Sequence, residues 1–161
     1  MHVIKNFLKD EEFRKIKDIM LSPEFPWYYL DSVVNPGDGY YQFIHHFYKD
    51  CAPTKSCHIL NSLVNLIEPV SIVRIKANLT TNSPKLVEHG YHTDYNNFTS
   101  PNLKTAIFYI NNNDGYTKFK TGEIIQSEEN KIIIFDADKI HTGTNCTDKK
   151  CRVVINLNFF K

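Results

Sequence analysis

"KIIIFDADKIH" (Lys131–His141) is an apolar, mostly β-branched run that ends in an acidic turn and a histidine. The apolar stretch Ile132 to Phe135 is short for a buried helix and suits a buried strand. The histidine is therefore delivered at a strand end. Similar signals stand on both sides of it. "RVVINLNFF" (Arg152–Phe160) reads as the last strand. "KTAIFYIN" (Lys104–Asn111) is an earlier one, closed by the turn "NNDGY", and "VSIVRIKANL" (Val70–Leu79) opens the series. "GEIIQ" falls between them as a shorter piece. Upstream the pattern changes. Asp10 to Met20 reads as a helix, with acids in its first turn and Phe13, Ile16, Ile19 and Met20 on one face. Ser56 to Ile67 repeats the helical stripe through Ile59, Leu60, Leu63 and Ile67, and Pro69 ends it. Between them, Ser22 to Tyr48 is an aromatic, strand-like stretch punctuated by three prolines and a Pro-Gly-Asp-Gly turn. Helices come first and strands follow. The fold class is α+β, mainly β, with a strand-rich core and helices packed on one sheet.

The chain has 161 residues, so residues 1–161 are expected to form one domain with a sizeable core. Eleven Phe, nine Tyr and one Trp lean the same way toward sheet. A formal net charge of +1 removes the global basic field that a nucleic-acid binder usually carries. Cys51, Cys57, Cys146 and Cys151 form no C-x-x-C pair. Together with the lack of a charged-then-apolar leader pattern or an apolar run of membrane length, they are read as reduced thiols of a cytoplasmic protein. The Asn-x-Ser/Thr patterns at Asn78, Asn97 and Asn145 are then coincidental.

The chemistry concentrates in "EHGYHTDYNN" (Glu88–Asn97). Alternate residues of a strand point the same way, so His92 and Asp94 can meet one metal ion. A distant histidine, His141, completes two imidazoles and a carboxylate, a set that fills one face of an iron(II) and leaves the other open. A competing frame uses His89 and His92 as a zinc pair on a turn. Gly90 and the polar run around it speak against the helix that this frame prefers. His45 and His46 are neighbours on a strand, so one is expected to pack and the other to face solvent. His2 and His58 carry no chemical signal.

These segments together resemble the 2-oxoglutarate/Fe(II)-dependent oxygenases, nearest to the prolyl-hydroxylase-like branch and to its small phage and bacterial members. The resemblance runs from about Val70 to Phe160 and includes the opening "NFLKDEEF". It implies a double-stranded β-helix, or jelly roll, with His92, Asp94 and His141 as iron ligands. Arg152, eleven residues past His141, matches the basic residue that holds the far carboxylate of 2-oxoglutarate. Tyr109 matches the co-substrate tyrosine, while Asn78 and Asn156 match further polar contacts. "DGYTKF" stands where relatives often carry Gly-Gly-x-x-x-Phe, with Tyr116 in place of the second glycine.

The resemblance implies an enzyme, a dioxygenase that uses Fe(II), 2-oxoglutarate and O2, with ascorbate as an accessory reductant, and hydroxylates a C–H bond. A peptidyl, prolyl-type residue is the leading substrate class. An AlkB-like nucleic-acid demethylase, a small-metabolite hydroxylase and a non-catalytic jelly-roll binding protein are the alternatives. No membrane partner is expected. Trp27–Tyr48 and the Thr80–Gly90 loop are the expected rims of the substrate groove.

Overall fold

A computed structural model describes residues 1–94 and 100–161; the Asn97 pattern lies outside them. The strand signals resolve into eleven strands among the described residues. They are β1 (His2–Ile4), β2 (Tyr28–Leu30), β3 (Gln42–Lys49), β4 (Ala52–Pro53), β5 (Ser71–Thr81), β6 (Leu103–Tyr109), β7 (Tyr116–Phe119), β8 (Ile124–Gln126), β9 (Lys131–Asp136), β10 (His141–Gly143) and β11 (Cys151–Phe160). Two helices, α1 (Asp10–Met20) and α2 (Asn61–Ile67), complete the list.

The large sheet runs β1-β9-β6-β11-β5-β3-β2, with β4 added at β3, and the small one runs β10-β7-β8. Isolated bridges Glu88↔Thr144 and His92↔His141 lay the segment before Asp94 alongside β10. This is a jelly roll of two facing sheets. Its centre is β11, antiparallel to β5 on one side and to β6 on the other.

Strand alternation then sorts side chains by face. Ile75, Ala77, Ala106, Phe108, Val153, Ile155 and Leu157 point outward and are buried under Phe13, Ile16 and Met20 of α1 and Leu63 and Ile67 of α2. Phe13 meets Phe108 edge-on, with ring centroids 6.0 Å apart. The opposite face holds a smaller apolar cluster of Ile107, Tyr109, Phe119, Ile133, Phe135 and Val154 between the sheets. Beyond it the inner face turns polar.

Two local readings change. Ser56–Ile67 is not one helix: a 3-10 turn spans Cys57–Leu60, and α2 begins only at Asn61. The Ser56 hydroxyl, which could cap a helix, is instead bound to His45 Nε2 at 2.6 Å. Trp27 is also no groove rim; its Nε1 donates to the Met20 carbonyl at 3.2 Å and its ring packs against the outer core. The rim narrows to the loop before β3, where Val33, Val34 and Asn35 reach the inter-sheet cavity.

Asp38 organises that loop. Its Oδ2 accepts from the amides of Val33, Val34 and Asn35 at 3.0, 2.8 and 3.2 Å, and Oδ1 accepts from Tyr40 at 3.0 Å. Gly37 and Gly39 flank it with φ of +78° and +79°, a conformation that glycine adopts without strain. Burial pushes the Asp38 carboxyl up, but the four amides outweigh it and hold the group at about 2. A folded value below the ordinary one means that this support is present above the ordinary carboxylate range and is lost as pH falls through about 2. Protection factors of the amides of Val33, Val34, Asn35 and Tyr40 should therefore stay high at pH 4 and fall toward pH 2. Asp38→Ala should show the low protection already at neutral pH, with protection in β5 and β11 unchanged.

Candidate functional site

His92 and His141 sit opposite each other on neighbouring strands and exchange both backbone hydrogen bonds, His92 N to His141 O and the reverse, each 2.9 Å. Directly paired residues present their side chains on one face, and the two rings lie 4.8 Å apart. Each ring is oriented from behind by the same device. His92 Nδ1 lies 3.0 Å from the Gly90 carbonyl, and His141 Nδ1 lies 3.0 Å from the Lys139 carbonyl. A carbonyl accepts only, so both Nδ1 atoms carry a proton, which leaves Nε2 of each ring as the atom that can ligate. Burial pulls the His141 imidazole below its ordinary value, which keeps the lone pair available near neutral pH.

Asp94 completes the group: one ligand atom from each of the three residues lies within 4.8 Å of the others. Its side chain is 5% exposed. Asn158 Nδ2 donates to Oδ2 at 3.3 Å, and Arg74 Nη2 lies 3.4 Å from Oδ1. Asn158 is itself fixed, donating to Thr105 Oγ1 at 3.0 Å and accepting from Arg74 Nε at 3.0 Å. Burial pushes the Asp94 carboxyl up, but His141, Arg74, His92 and the Asn158 amide outweigh it and hold it below the usual range. The carboxylate is ionised and aimed. Two imidazoles and one carboxylate on converging strands have the donor chemistry of an iron(II) facial site.

From this cluster a cavity of about 230 Å³ runs between the sheets to Arg152. Arg152 is 5% exposed. Its Nε donates to Ser127 Oγ at 2.8 Å and Nη2 to Thr117 Oγ1 at 3.2 Å. Among the described residues no carboxylate pairs with it. Gly115 makes room for it; a Cβ there would stand 2.7 Å from Arg152 Cδ and 2.4 Å from the Asn145 carbonyl. The glycine of "DGYTKF" thus serves the arginine. Tyr116, at the second-glycine position, opens β7 and turns its hydroxyl to Glu88 Oε1 at 2.8 Å.

Tyr109 is fully buried with its ring 5.7 Å from the Arg152 guanidinium carbon, and its hydroxyl donates to Thr117 Oγ1 at 2.9 Å. It backs the arginine and does not line the cavity. Asn78 and Asn156 do line it, on neighbouring strands. So does His89, which stands outside the three-residue ligand group, 92% buried with Tyr40 edge-on at 5.0 Å. Among the described residues, the buried polar side-chain atoms without a partner are Thr80 Oγ1, Asn156 Oδ1 and both ring nitrogens of His89. All belong to residues that line this cavity. An unmade buried hydrogen bond is costly, so the cavity is built for a polar occupant.

The sequence reading missed Arg74, Lys76, Asn158, Thr117 and Ser127. The first three carry on the alternation of Asn78 and of Arg152–Asn156, and that period could have found them. Thr117 and Ser127 reach Arg152 across the sheets, which no local pattern signals. His45 packs between Phe25 and Phe47, and His46 lies on the Lys76 side of β3. Asn145 is buried and bonded to Val87, Ser83 and Lys85.

No family model matches the chain, and no curated protein matches it by sequence. Solved structures do match. A prolyl-4-hydroxylase from Pseudomonas putida superposes with a TM-score of 0.71 at 12% identity, over 99% of this chain and 91% of that one. A Trichoplax adhaerens prolyl hydroxylase, in complex with a hypoxia-inducible-factor oxygen-degradation-domain peptide, gives 0.64 at 11% over 99% and 82%. The non-heme alpha-ketoglutarate-dependent epimerase SnoN from nogalamycin biosynthesis gives 0.67 at 12% over 99% and 75%. With its two sheets, its helices on the large one and its inter-sheet cavity, the chain has the fold of the 2-oxoglutarate/Fe(II) oxygenases.

Proposed function

We propose that the protein is a 2-oxoglutarate- and Fe(II)-dependent dioxygenase that hydroxylates a C–H bond, with a peptidyl, prolyl-type residue as the substrate class. One observation carries the reading: a single cavity has a metal-type His-Asp-His group at one end and, at the other, a buried arginine that no carboxylate of the described residues pairs with. An unpaired buried guanidinium is costly, so that end wants an anion. A dicarboxylate that chelates metal with one end suits both ends of the cavity at once.

His92, Asp94 and His141 would hold iron(II), and Arg152 would hold the far carboxylate of 2-oxoglutarate. When bound, iron and 2-oxoglutarate supply O2 activation and C–H hydroxylation, with CO2 and succinate as by-products. The chain's own residues prepare this. Gly90 and Lys139 carbonyls fix the histidine tautomers, and Asn158 and Arg74 aim Asp94. Arg152 offers a planar two-pronged grip that lysine cannot copy. Tyr109 and Thr117 hold that grip in place, while Asn78 and Asn156 present amides along the cavity wall. Ile107 and Val154 keep part of the wall apolar and limit water.

The peptide reading rests on the rim. Tyr28, Tyr29, Tyr40 and Tyr41 are exposed. Tyr40 meets His89 at the edge of the cavity, and beyond it Tyr41, bonded to Thr81, stacks with Tyr29 on the outer face of the large sheet. Exposed aromatic strips are surfaces on which extended, proline-bearing peptides dock. The four free cysteines suit a reducing, cytoplasmic compartment, and no described helix is long and apolar enough to cross a membrane.

Anaerobic addition of Fe(II) and 2-oxoglutarate should produce a weak visible charge-transfer band. Asp94→Ala should abolish it, and a surviving band would sink the ligand assignment. His89→Ala should leave metal affinity nearly unchanged; near-complete metal loss in the folded variant would move the site to the His89–His92 frame. Arg152→Met should weaken 2-oxoglutarate by at least about tenfold, since a hydrogen bond to a charged group is worth roughly 1.5–3 kcal/mol. Its Fe(II) affinity without co-substrate should barely move. Gly115→Ala should act the same way through Arg152, with a stability loss of about 1–3 kcal/mol in thermal melts.

A further inference from the structure

The cavity holds more positive charge than the proposed co-substrate uses. Iron(II), Asp94, Arg152 and the 2-oxoglutarate dianion together sum to zero. Arg74 and Lys76 remain, and Asp94 is the sole carboxylate lining the cavity among the described residues. Arg74 touches Asp94 at 3.4 Å, longer than a good charged hydrogen bond. Lys76 is half-buried, lines the cavity and, among the described residues, makes no hydrogen bond or ion pair.

Register places these two cations. On the inner face Lys76 is paired with Asn156 and His46, and Arg74 with Asn158. Arg152 is paired with Thr80, two inward-facing positions beyond Lys76 on β5. Successive inward positions are about 7 Å apart, so Lys76 lies well along the sheet from Arg152, toward Asp94. No acid offsets it from the neighbouring strand either. His46, pulled down to about 4 by burial and by Lys76, Lys49 and Arg74, is a neutral neighbour. Burial and Arg74 pull Lys76 itself down to about 8 against the opposing pull of the Asp94 carboxylate, which leaves it mostly protonated near pH 7.

Resting on the dioxygenase reading, we propose that the substrate is an acid: a carboxylate near the carbon to be oxidised docks on Lys76 and Arg74, separately from the 2-oxoglutarate anchor at Arg152. A half-buried lysine without a partner is unfavourable in the empty cavity and becomes favourable when an anion arrives. The same pair disfavours cationic substrates. On the tyrosine rim, this selects prolyl peptides with an acidic residue beside the proline over neutral or basic ones.

The test uses protein loaded with Zn(II), which is diamagnetic and holds the site without turnover, and saturated with 2-oxoglutarate. NMR titration follows the Lys76 side chain against acetyl-Gly-Glu-Pro-Gly-amide, its Gln and Lys counterparts, and free N-acetylglutamate. The acidic probes should shift Lys76 saturably, and the Gln peptide should bind at least about tenfold more weakly. Tighter binding of the Glu peptide than of N-acetylglutamate identifies a peptide acid, and the reverse order a free organic acid; either supports an acid subsite. Lys76→Met should erase the Glu/Gln difference while keeping 2-oxoglutarate affinity within about threefold, and should melt no lower than the wild type because it removes an unpaired charge. Lys76→Gln is the second variant if Lys76→Met folds poorly. Equal binding of Glu and Gln peptides, or no saturable shift with either acid, overturns the proposal. So does a large loss of 2-oxoglutarate affinity in Lys76→Met, which would assign Lys76 to the co-substrate. Failure of 2-oxoglutarate to bind the wild type is a different result: it removes the dioxygenase reading, and this inference with it.

Discussion

The period of two along β11 and β5 is the constraint on which the rest depends. These strands pair from Cys151↔Thr81 to Phe160↔Ser71, and β6 pairs with β11 on its other side from Val154↔Tyr109 to Phe160↔Leu103. One set of alternate residues is apolar and packs on the helices. The other set, Arg74, Lys76, Asn78 and Thr80 with Arg152, Val154, Asn156 and Asn158, faces the small sheet. A slip of one residue would press these charged groups into the helix-packed core and lift Ile75, Val153 and Ile155 into the cavity. Burial of the outer face therefore fixes the chemistry of the inner one.

The small sheet supplies the complementary constraint. It is thin, with three short strands, and little of the apolar core rests on it. Its order comes from polar links. His92 and His141 exchange backbone bonds, Glu88 pairs with Thr144, and Lys118 and Tyr116 both reach Glu88 at 2.8 Å. Such links direct side chains precisely enough to orient two imidazoles, yet they contribute less stability than the helix-packed face. Rigid scaffold and reactive edge are divided between the sheets, as a site on supported strands requires.

Much of this was legible in the sequence, for a physical reason. Strands with one buried face write their period into the chain, so Val70–Leu79, Lys104–Asn111, Lys131–Ala137 and Arg152–Phe160 were found to within two residues at each end. α1 was legible through its apolar stripe. What failed was what depends on partners distant in sequence. The Ser56 hydroxyl looked like the start of a helix but is held by His45. Tyr109 was matched by resemblance to the co-substrate tyrosine, while the capture of its hydroxyl by Thr117 needed the second sheet. Lys76 was overlooked although it sits one inward step from Asn78, because a lysine in a strand usually signals solvent. Its meaning came only when, among the described residues, no hydrogen bond or ion pair to an acid was found for it.

That lysine also shows how one fold can change substrate without changing its reactive centre. The ligand group and Arg152 are held by backbone carbonyls, small residues and side chains from several strands, so they tolerate little variation. Lys76 hangs from the middle of β5 and supports none of them. Its neighbours Asn156 and His46 are likewise free of structural duty toward the ligand group. A substitution there alters the charge that a substrate meets while Asp94, His92 and His141 keep their supports. The inner face of β5 is thus where the charge of the cavity can be rewritten at small structural cost.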